Sequence, residues 1–180
     1  MHVSGAPDSL LQLLEIRPLS LDDLSTARYV VSAAFTRAAK GHYTAAEMAA
    51  FADFVRSPHY ADILLGNRAY SAWVGSEMVG VAAWSLGERQ NPTARILAVS
   101  VHPLFGTHGI GTRLAEYLAD EAIAAGYRAL EVSATLNAVP FFERLGFIET
   151  RRGAWGLPSG RDLPIVFMRK VAGNRLDIVH

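Results

Sequence analysis

The chain has 180 residues, of which 51% are hydrophobic and 19% are charged. This suits one globular domain with one sizeable core and excludes a disordered chain. Seventeen basic residues balance seventeen acidic ones, so the formal net charge of +0 gives no electrostatic footprint for nucleic acid or an anionic membrane. The sequence has no cysteine, which excludes disulfides and thiolate catalysis, and its six histidines lack the i, i+4 spacing of a metal-binding pair. We therefore expect no metal, no nucleic-acid partner and no membrane partner.

The ends of the chain are predicted to be tails around a single domain. Residues 1–12 lack the basic segment and long apolar run of a secretory signal, and no stretch is long and apolar enough to span a bilayer. No repeat, low-complexity tract or linker divides residues 13–172. We expect a cytoplasmic protein with one domain over residues 13–172 and loose tails at 1–12 and 173–180.

The first part of the domain predicts a strand followed by a helix. Residues 13–18 are a short apolar run that suits a strand. Ser20 and Asp23 are typical of a helix start, with a hydroxyl cap and an acid in the first turn. Apolar residues then recur at helical spacing, namely Leu24, Ala27, Val31, Ala34, Phe35 and Ala38.

A second helix and a run of strands follow. Thr44 and Glu47 form a capping box, and we expect the helix to end at Pro58 because proline cannot continue a helix. Strands are predicted at 69–74, 77–85, 94–101, 127–134, 147–157 and 163–170, with helices after residue 111 and at 138–145. This order predicts an α/β (α+β) fold with a mixed, mostly antiparallel sheet of about seven strands and helices on both faces.

A glycine-rich loop joins the predicted strand at 94–101 to the next helix. Gly106, Gly109 and Gly111 would let the backbone approach an anion closely, and the first turn of a helix offers unpaired N–H donors. Close helix–sheet packing in a tight turn is the other interpretation. A Rossmann dinucleotide loop is disfavoured, because the order is G-x-x-G-x-G and not G-x-G-x-x-G.

Two segments make the interpretation more specific. Residues 99–103 (VSVHP) and 110–114 (IGTRL), with the loop between them, resemble the coenzyme A segment of the GNAT acyltransferases. Residues 138–147 (AVPFFERLGF) are similar to the second signature of that family. The resemblance implies a GNAT-like fold that moves an acetyl or other acyl group from acetyl-CoA to an amine or hydroxyl of a small-molecule or protein acceptor. Homodimers are common in the family, but no residue here demands one.

The resemblance also implies site residues. The strand ending at Val101 would splay from the strand ending at Ala134, main-chain groups of Val99 and Val101 would pair with the pantetheine arm, and the amides of residues 107–112 would hold the diphosphate. A main-chain N–H near Val99 would polarise the thioester carbonyl. The implied coenzyme A contacts are Val99, Val101, Gly106, Thr107, His108, Gly109, Ile110, Gly111, Thr112, Asn137 and Phe142.

Three positions depart from the family pattern. Gly106 stands where an Arg or Gln is usual, and Thr135 stands where an Asn is usual, with Asn137 two residues further on. Phe142 replaces the Tyr that often protonates the departing thiolate. These departures leave open a second hypothesis, a non-catalytic domain that binds or senses acyl-CoA.

Candidate catalytic residues must come from elsewhere in the chain. We select Glu88, at the end of the third strand near the expected acceptor mouth, and Tyr43, in the segment that forms the acceptor wall in the family. Aromatic residues expected in this wall, or else in plain core, are Phe35, Tyr43, Phe51, Phe54 and Trp84. No cluster of acids suggests a polycationic acceptor.

Overall fold

The computed structural model describes residues 9–87 and 90–171, which contain a seven-stranded sheet in the order β1-β2-β3-β4-β5-β7-β6. The strands are β1 (Leu14–Pro18), β2 (Arg68–Val74), β3 (Glu77–Ser85), β4 (Thr93–Val101), β5 (Ala129–Thr135), β6 (Ile148–Gly156) and β7 (Asp162–Val171). Neighbours pair antiparallel except β4 and β5, which are parallel. This confirms the predicted fold class, with one parallel pair at the centre of the sheet.

The helices pack on both faces of this sheet. They are α1 (Ser9–Leu13), α2 (Leu24–Ala38), α3 (Ala45–Arg56), α4 (Pro58–Leu65), α5 (Ile110–Ala124) and α6 (Val139–Arg144). Short 3-10 turns occupy Leu21–Asp23, Pro103–Phe105 and Leu136–Ala138. Helices α2, α3 and α4 share one core with one face of the sheet, and α5 and α6 share a second core with the other face. None of the described helices is long and apolar enough to cross a membrane.

The predicted capping box is present. The Thr44 hydroxyl accepts the Glu47 N–H at 3.1 Å, and the Thr44 N–H donates to a Glu47 carboxylate oxygen at 2.9 Å. Two N–H groups that would otherwise be unpaired at the start of α3 are thereby satisfied.

The structure adds two short helices to the elements predicted for this half of the chain. Helix α3 ends at Arg56, just before Pro58 as predicted, but a further helix, α4, begins at Pro58, with Ser57 as its cap and the Ser57 hydroxyl accepting the Tyr60 N–H at 3.3 Å. Proline is well tolerated at the first position of a helix, where its missing N–H would have had no partner. The predicted N-terminal tail contains α1 at its end, and Leu11 packs against the core of α5.

The partly buried carboxylate of Glu121 lies beside the core beneath α5. The Tyr70 hydroxyl and the Trp84 indole N–H both donate to the same Glu121 oxygen, the latter at 3.2 Å. Trp84 is fully buried, so this acceptor removes the cost of burying an unpaired indole N–H. Burial and the neighbouring Glu121 carboxylate raise the pKa of Tyr70 to about 12.

The parallel pair at the sheet centre is open along half of its length. The register that joins β4 to β5 ends at Ile96 and Val132. Strand β4 nevertheless continues to Val101 and β5 to Thr135, each still paired to its outer neighbour. Ile96 faces Trp84 and Ala98 faces Ala83 on β3, so Leu97 forms a bulge where the two central strands diverge. A bulge bends its strand and increases its local twist.

Candidate active site

A cleft of about 1050 Å³ lies where β4 and β5 diverge. It extends from the glycine loop, through the gap between the two strands, to the face of the sheet that carries α2, α3 and α4. The β6–β7 hairpin closes one side with residues 155–158. The cleft therefore has two arms, one at the glycine loop and one beneath the helices, which meet at the open strand gap.

The edge of β4 presents unpaired main-chain groups to this gap. The His102 N–H donates to the Val79 carbonyl at 2.8 Å, so this pair is a hydrogen-bonded one. Such pairs alternate along an antiparallel ladder, so Ser100 and Ala98 direct their main-chain groups toward β3. Val99 and Val101 direct theirs to the opposite side, where β5 has moved away.

The glycine loop forms the second wall. Gly109 has φ of +77°, a left-handed conformation that favours glycine, and it precedes the first turn of α5. The Arg113 N–H donates to the Gly109 carbonyl at 3.1 Å, so regular helical bonding begins there. The N–H groups of the first helical turn have no acceptor within the helix. Loop residues that line the cleft are Gly106, Thr107, Gly109, Gly111 and Thr112.

The three loop glycines have different local surroundings. An added Cβ at Gly106 or Gly109 would meet no atom closer than 3.6 Å, whereas one at Gly111 would lie 3.3 Å from Phe141 Cε2. Gly111 thus serves close packing of α5 against α6, which was the alternative interpretation of the loop. Ile110 is buried in the core, and neither it nor His108 is among the residues that line the cleft.

The wall opposite β4 carries two of the predicted contacts. Asn137, in the turn after β5, lines the cleft, and its side-chain oxygen is buried without a hydrogen-bond partner among the described residues. Buried polar atoms are rarely left unpaired, so this acceptor fits a ligand donor. Phe142 also lines the cleft, and its ring packs edge-on against Phe141 and Phe147.

Tyr43, a predicted catalytic residue, instead joins two stretches of main chain. Its hydroxyl donates to the Pro164 carbonyl at 2.6 Å and accepts the Leu136 N–H at 2.9 Å. Burial raises the pKa of Tyr43, and it is not among the cleft-lining residues. These contacts favour a structural role that positions the turn before Asn137. Glu88, the other predicted catalytic residue, lies outside the described residues.

The arm beneath α2, α3 and α4 is mainly aromatic and aliphatic. The rings of Phe35 and Phe51 pack at a tilt of 36° with centroids 4.0 Å apart, and Phe54 meets Tyr60 edge-on at 5.3 Å. All four line the cleft, as do Val31, Ala34, Ala38, Ile63, Leu97, Trp155 and Leu157. The placement of Trp84 in this wall was wrong, because the Trp84 ring lies in the core on the other face, against α5.

The polar residues that line this arm were not predicted from the sequence. Asn67, Ser85 and Arg95 line the cleft, and His59 joins them from α4. Asn67, Ser85 and Arg95 come together through strand register, which the sequence does not reveal. His59 lies on α4, which was not predicted, and the helix start signal at Ser57 and Pro58 is the feature that could have indicated it. Among the described residues, no group of three His, Asp or Glu side chains could hold a metal ion.

The fold and the cleft agree with comparisons to known proteins. Residues 39–154 match the family described as "Acetyltransferase (GNAT) domain". The chain belongs to the GNAT acetyltransferases, a family of N-acetyltransferases.

Solved structures of this family have the same fold. A GCN5-related N-acetyltransferase from Rhodopseudomonas palustris superposes with a TM-score of 0.79 at 25% identity, over 87% of this chain and 94% of that chain. The PaiA N-acetyltransferase from Thermoplasma acidophilum, solved in complex with coenzyme A, gives 0.64 at 17% identity, over 88% and 98%. A GNAT family acetyltransferase from Brucella melitensis, in complex with acetyl-CoA, gives 0.59 at 21% identity, over 89% and 88%. No curated protein sequence matches the chain significantly.

Proposed function

We propose that this protein transfers an acetyl group from acetyl-CoA to the amine of a small-molecule or protein acceptor, by direct attack of the amine within the cleft. The observation that carries the proposal is the unpaired edge of β4 beyond Ile96, next to the glycine loop that begins α5. Acetyl-CoA supplies the acyl group as a thioester. A cytoplasmic location fits this reaction.

The residues of the cleft suit this co-substrate. The main-chain groups of Val99 and Val101 can pair with the amides of an extended pantetheine arm as an added strand would. The unpaired oxygen of Asn137 offers a further acceptor for an amide N–H. The N–H groups of residues 107–112 and the α5 dipole favour the negative charge of a diphosphate.

Polarisation of the thioester falls to the main chain in this proposal. The Val99 N–H points into the gap just beyond the Leu97 bulge, where no β5 carbonyl competes for it. A fixed N–H donor in a site of low polarity stabilises a developing oxyanion. We propose Val99 as this donor.

The described residues of the cleft offer no evident acid for the leaving thiolate. Phe142 has no hydroxyl to protonate a leaving thiolate, and the Tyr43 hydroxyl is already bonded to two main-chain groups. A thiol with a pKa of about 8.5 is a tolerable leaving group without an acid, so holding the two substrates together can supply much of the acceleration. The acceptor amine must lose a proton, and Glu88 is our proposed base for that step.

The proposal is tested by two measurements on the full chain. Calorimetry should show saturable acetyl-CoA binding, and a thiol assay with a panel of amines should show coenzyme A release above the hydrolysis background. Binding together with amine-dependent release is the expected result. Binding without turnover on any amine would favour the alternative, a non-catalytic acyl-CoA sensor. Absence of binding would refute both.

A further inference from the structure

We infer that the acceptor is a small amine that carries both a bulky apolar group, preferably aromatic, and a carboxylate. This inference rests on the proposed function, because it assigns the arm of the cleft beneath α2, α3 and α4 to the acceptor. Two features of that arm support it: an apolar enclosure, and an arginine that has no partner among the described residues.

The enclosure is built for a flat or bulky apolar group. Phe35, Phe51, Phe54 and Tyr60 contact one another ring to ring, with centroids between 4.0 and 6.2 Å apart. Trp155, on the β6–β7 side, lines the same cleft. Aromatic side chains contribute large contact areas and favour offset or edge-on contacts with a further ring.

Arg95 lies at the polar end of this enclosure. The side chains of Ala94 and Ile96 belong to the core beneath α5, so strand alternation places the Arg95 side chain on the face that carries α2, α3 and α4. Arg95 is exposed and lines the cleft. No hydrogen bond or ion pair to Arg95 exists within the described part of the chain.

The neighbours of Arg95 on this face add donors and leave an excess of positive charge. Ser85 of β3 faces Arg95 of β4. Asn67 lies just before β2, next to Arg68, which faces Trp84 of β3. Glu131 faces Arg95 from β5, but no ion pair joins them, and Arg169 of β7 faces Glu131 from its other side. Across β4, β5 and β7, this position therefore carries two cations, Arg95 and Arg169, and one anion, Glu131.

The charged side chains of the described lining favour an anionic group on the acceptor. The charged lining residues of the cleft are Arg95 and Arg144, and no Asp or Glu of the described residues lines it. Arg144 belongs to α6, whose Phe141 touches Gly111 of the glycine loop, so Arg144 lies toward the coenzyme arm. A guanidinium binds a carboxylate through two parallel N–H donors, which makes Arg95 the anion contact of the acceptor arm.

The position of Arg95 also places the amine. Arg95 directly precedes Ile96, where β4 and β5 last pair, so its side chain lies at the closed end of the strand gap. A carboxylate held at Arg95, with the apolar group packed against the phenylalanine rings, would leave an adjacent α-amine at the opening of the gap. An α-amino acid with an aromatic side chain carries its carboxylate, apolar group and amine in this arrangement.

The test compares acceptors that differ only in the carboxylate. Coenzyme A release is measured with phenylalanine against phenethylamine, and with tryptophan against tryptamine, for the wild type and Arg95→Gln. We expect kcat/KM for each carboxylate-bearing acceptor to be at least about tenfold higher than for its partner, as for a charge-assisted bidentate contact. Arg95→Gln should remove this preference, chiefly by raising KM for the carboxylate-bearing acceptors.

Two controls keep the result specific. Arg95→Lys retains the charge without the paired donors and should restore part of the preference. Arg37→Gln removes an exposed cation of α2 that does not line the cleft and should change neither acceptor.

The inference is overturned if the carboxylate-free amines are equal or better acceptors, or if Arg95→Gln lowers both acceptors of a pair equally. Activity restricted to polyamines or to peptide lysines would also overturn it and leave the proposed acetyl transfer intact. If calorimetry shows that the wild type does not bind acetyl-CoA, the proposed function itself is refuted.

Discussion

Ile96 and Val132 form the last paired position between β4 and β5, and the strands diverge beyond it while each stays bonded to its outer neighbour. One edge of β4 is therefore left with free main-chain groups inside the fold instead of at its border. A free edge in a sheet readily accepts another extended chain. In this protein the same opening connects the glycine loop with the aromatic arm, so a bound thioester and an acceptor can meet there.

The first prediction concerns the glycine loop. Gly106 has an ordinary φ of −68°, and an added Cβ would meet only the Pro103 carbonyl oxygen, at an unstrained 3.6 Å, so Gly106→Glu adds a carboxylate without straining the backbone. Repulsion of the diphosphate should weaken acetyl-CoA binding by about a hundredfold or more. Calorimetry measures the affinity, and the thermal midpoint should stay within about 2 °C of wild type. Gly106→Ala is the matched control and should bind nearly normally; if Gly106→Glu does too, the diphosphate lies elsewhere.

The second prediction restores a missing acid. Phe142 lines the cleft, so Phe142→Tyr places a phenol hydroxyl in the wall of the coenzyme arm. If protonation of the thiolate limits turnover, kcat should rise by about tenfold or more at saturating acetyl-CoA, with the affinity for acetyl-CoA unchanged. Phe147→Tyr, which places a hydroxyl in the same aromatic cluster but not in the cleft lining, controls for the cost of burying it. An unchanged kcat in folded Phe142→Tyr would show that thiolate protonation is not limiting.

A third prediction distinguishes structural from catalytic use of Tyr43. Tyr43→Phe leaves the Leu136 N–H and the Pro164 carbonyl without their partner and should destabilise the fold by about 2 kcal/mol. Denaturant unfolding measures this loss. At a temperature where the variant is folded, the pH dependence of kcat should match that of the wild type. A change in the pH profile without loss of stability would restore Tyr43 as a catalytic residue.

The fourth prediction concerns alkaline pH. Burial and the hydrogen bond to Glu121 raise the pKa of Tyr70 to about 12, above the value of about 10 in an unfolded chain. The folded state then holds this proton more tightly, so the stabilisation is complete below about pH 10 and is lost as the pH rises toward 12. The thermal midpoint of Tyr70→Phe should fall less over that interval than the midpoint of the wild type. An identical alkaline fall in both proteins would contradict the assignment.

Features set by residues close together in the chain could be predicted from the sequence. The capping box of Thr44 and Glu47, the glycine loop and the seven strands depend on local patterns of this kind. Helix α4 was missed because Pro58 was interpreted only as a stop, although a serine followed by proline is equally a start. The face occupied by Trp84 was also assigned wrongly, because alternation along a strand does not say which face meets which helix.

The acceptor arm was harder to predict for a related reason. Asn67, Ser85 and Arg95 form a row only because three strands pair in a particular register, over separations that no local pattern encodes. The free edge of Val99 and Val101 likewise follows from the divergence of two strands that are joined through α5. The resemblance to a family indicated this edge, whereas the residues of the acceptor arm required the folded chain.

The central claim is that the β4–β5 gap and the glycine loop hold acetyl-CoA, and a crystal structure of the chain with the bound thioester tests it most directly. We predict a diphosphate within hydrogen-bond distance of main-chain N–H groups of residues 107–112, and a pantetheine arm paired with Val99 and Val101. A thioester bound away from this gap, or loop N–H groups already bonded to the protein itself, would contradict the account.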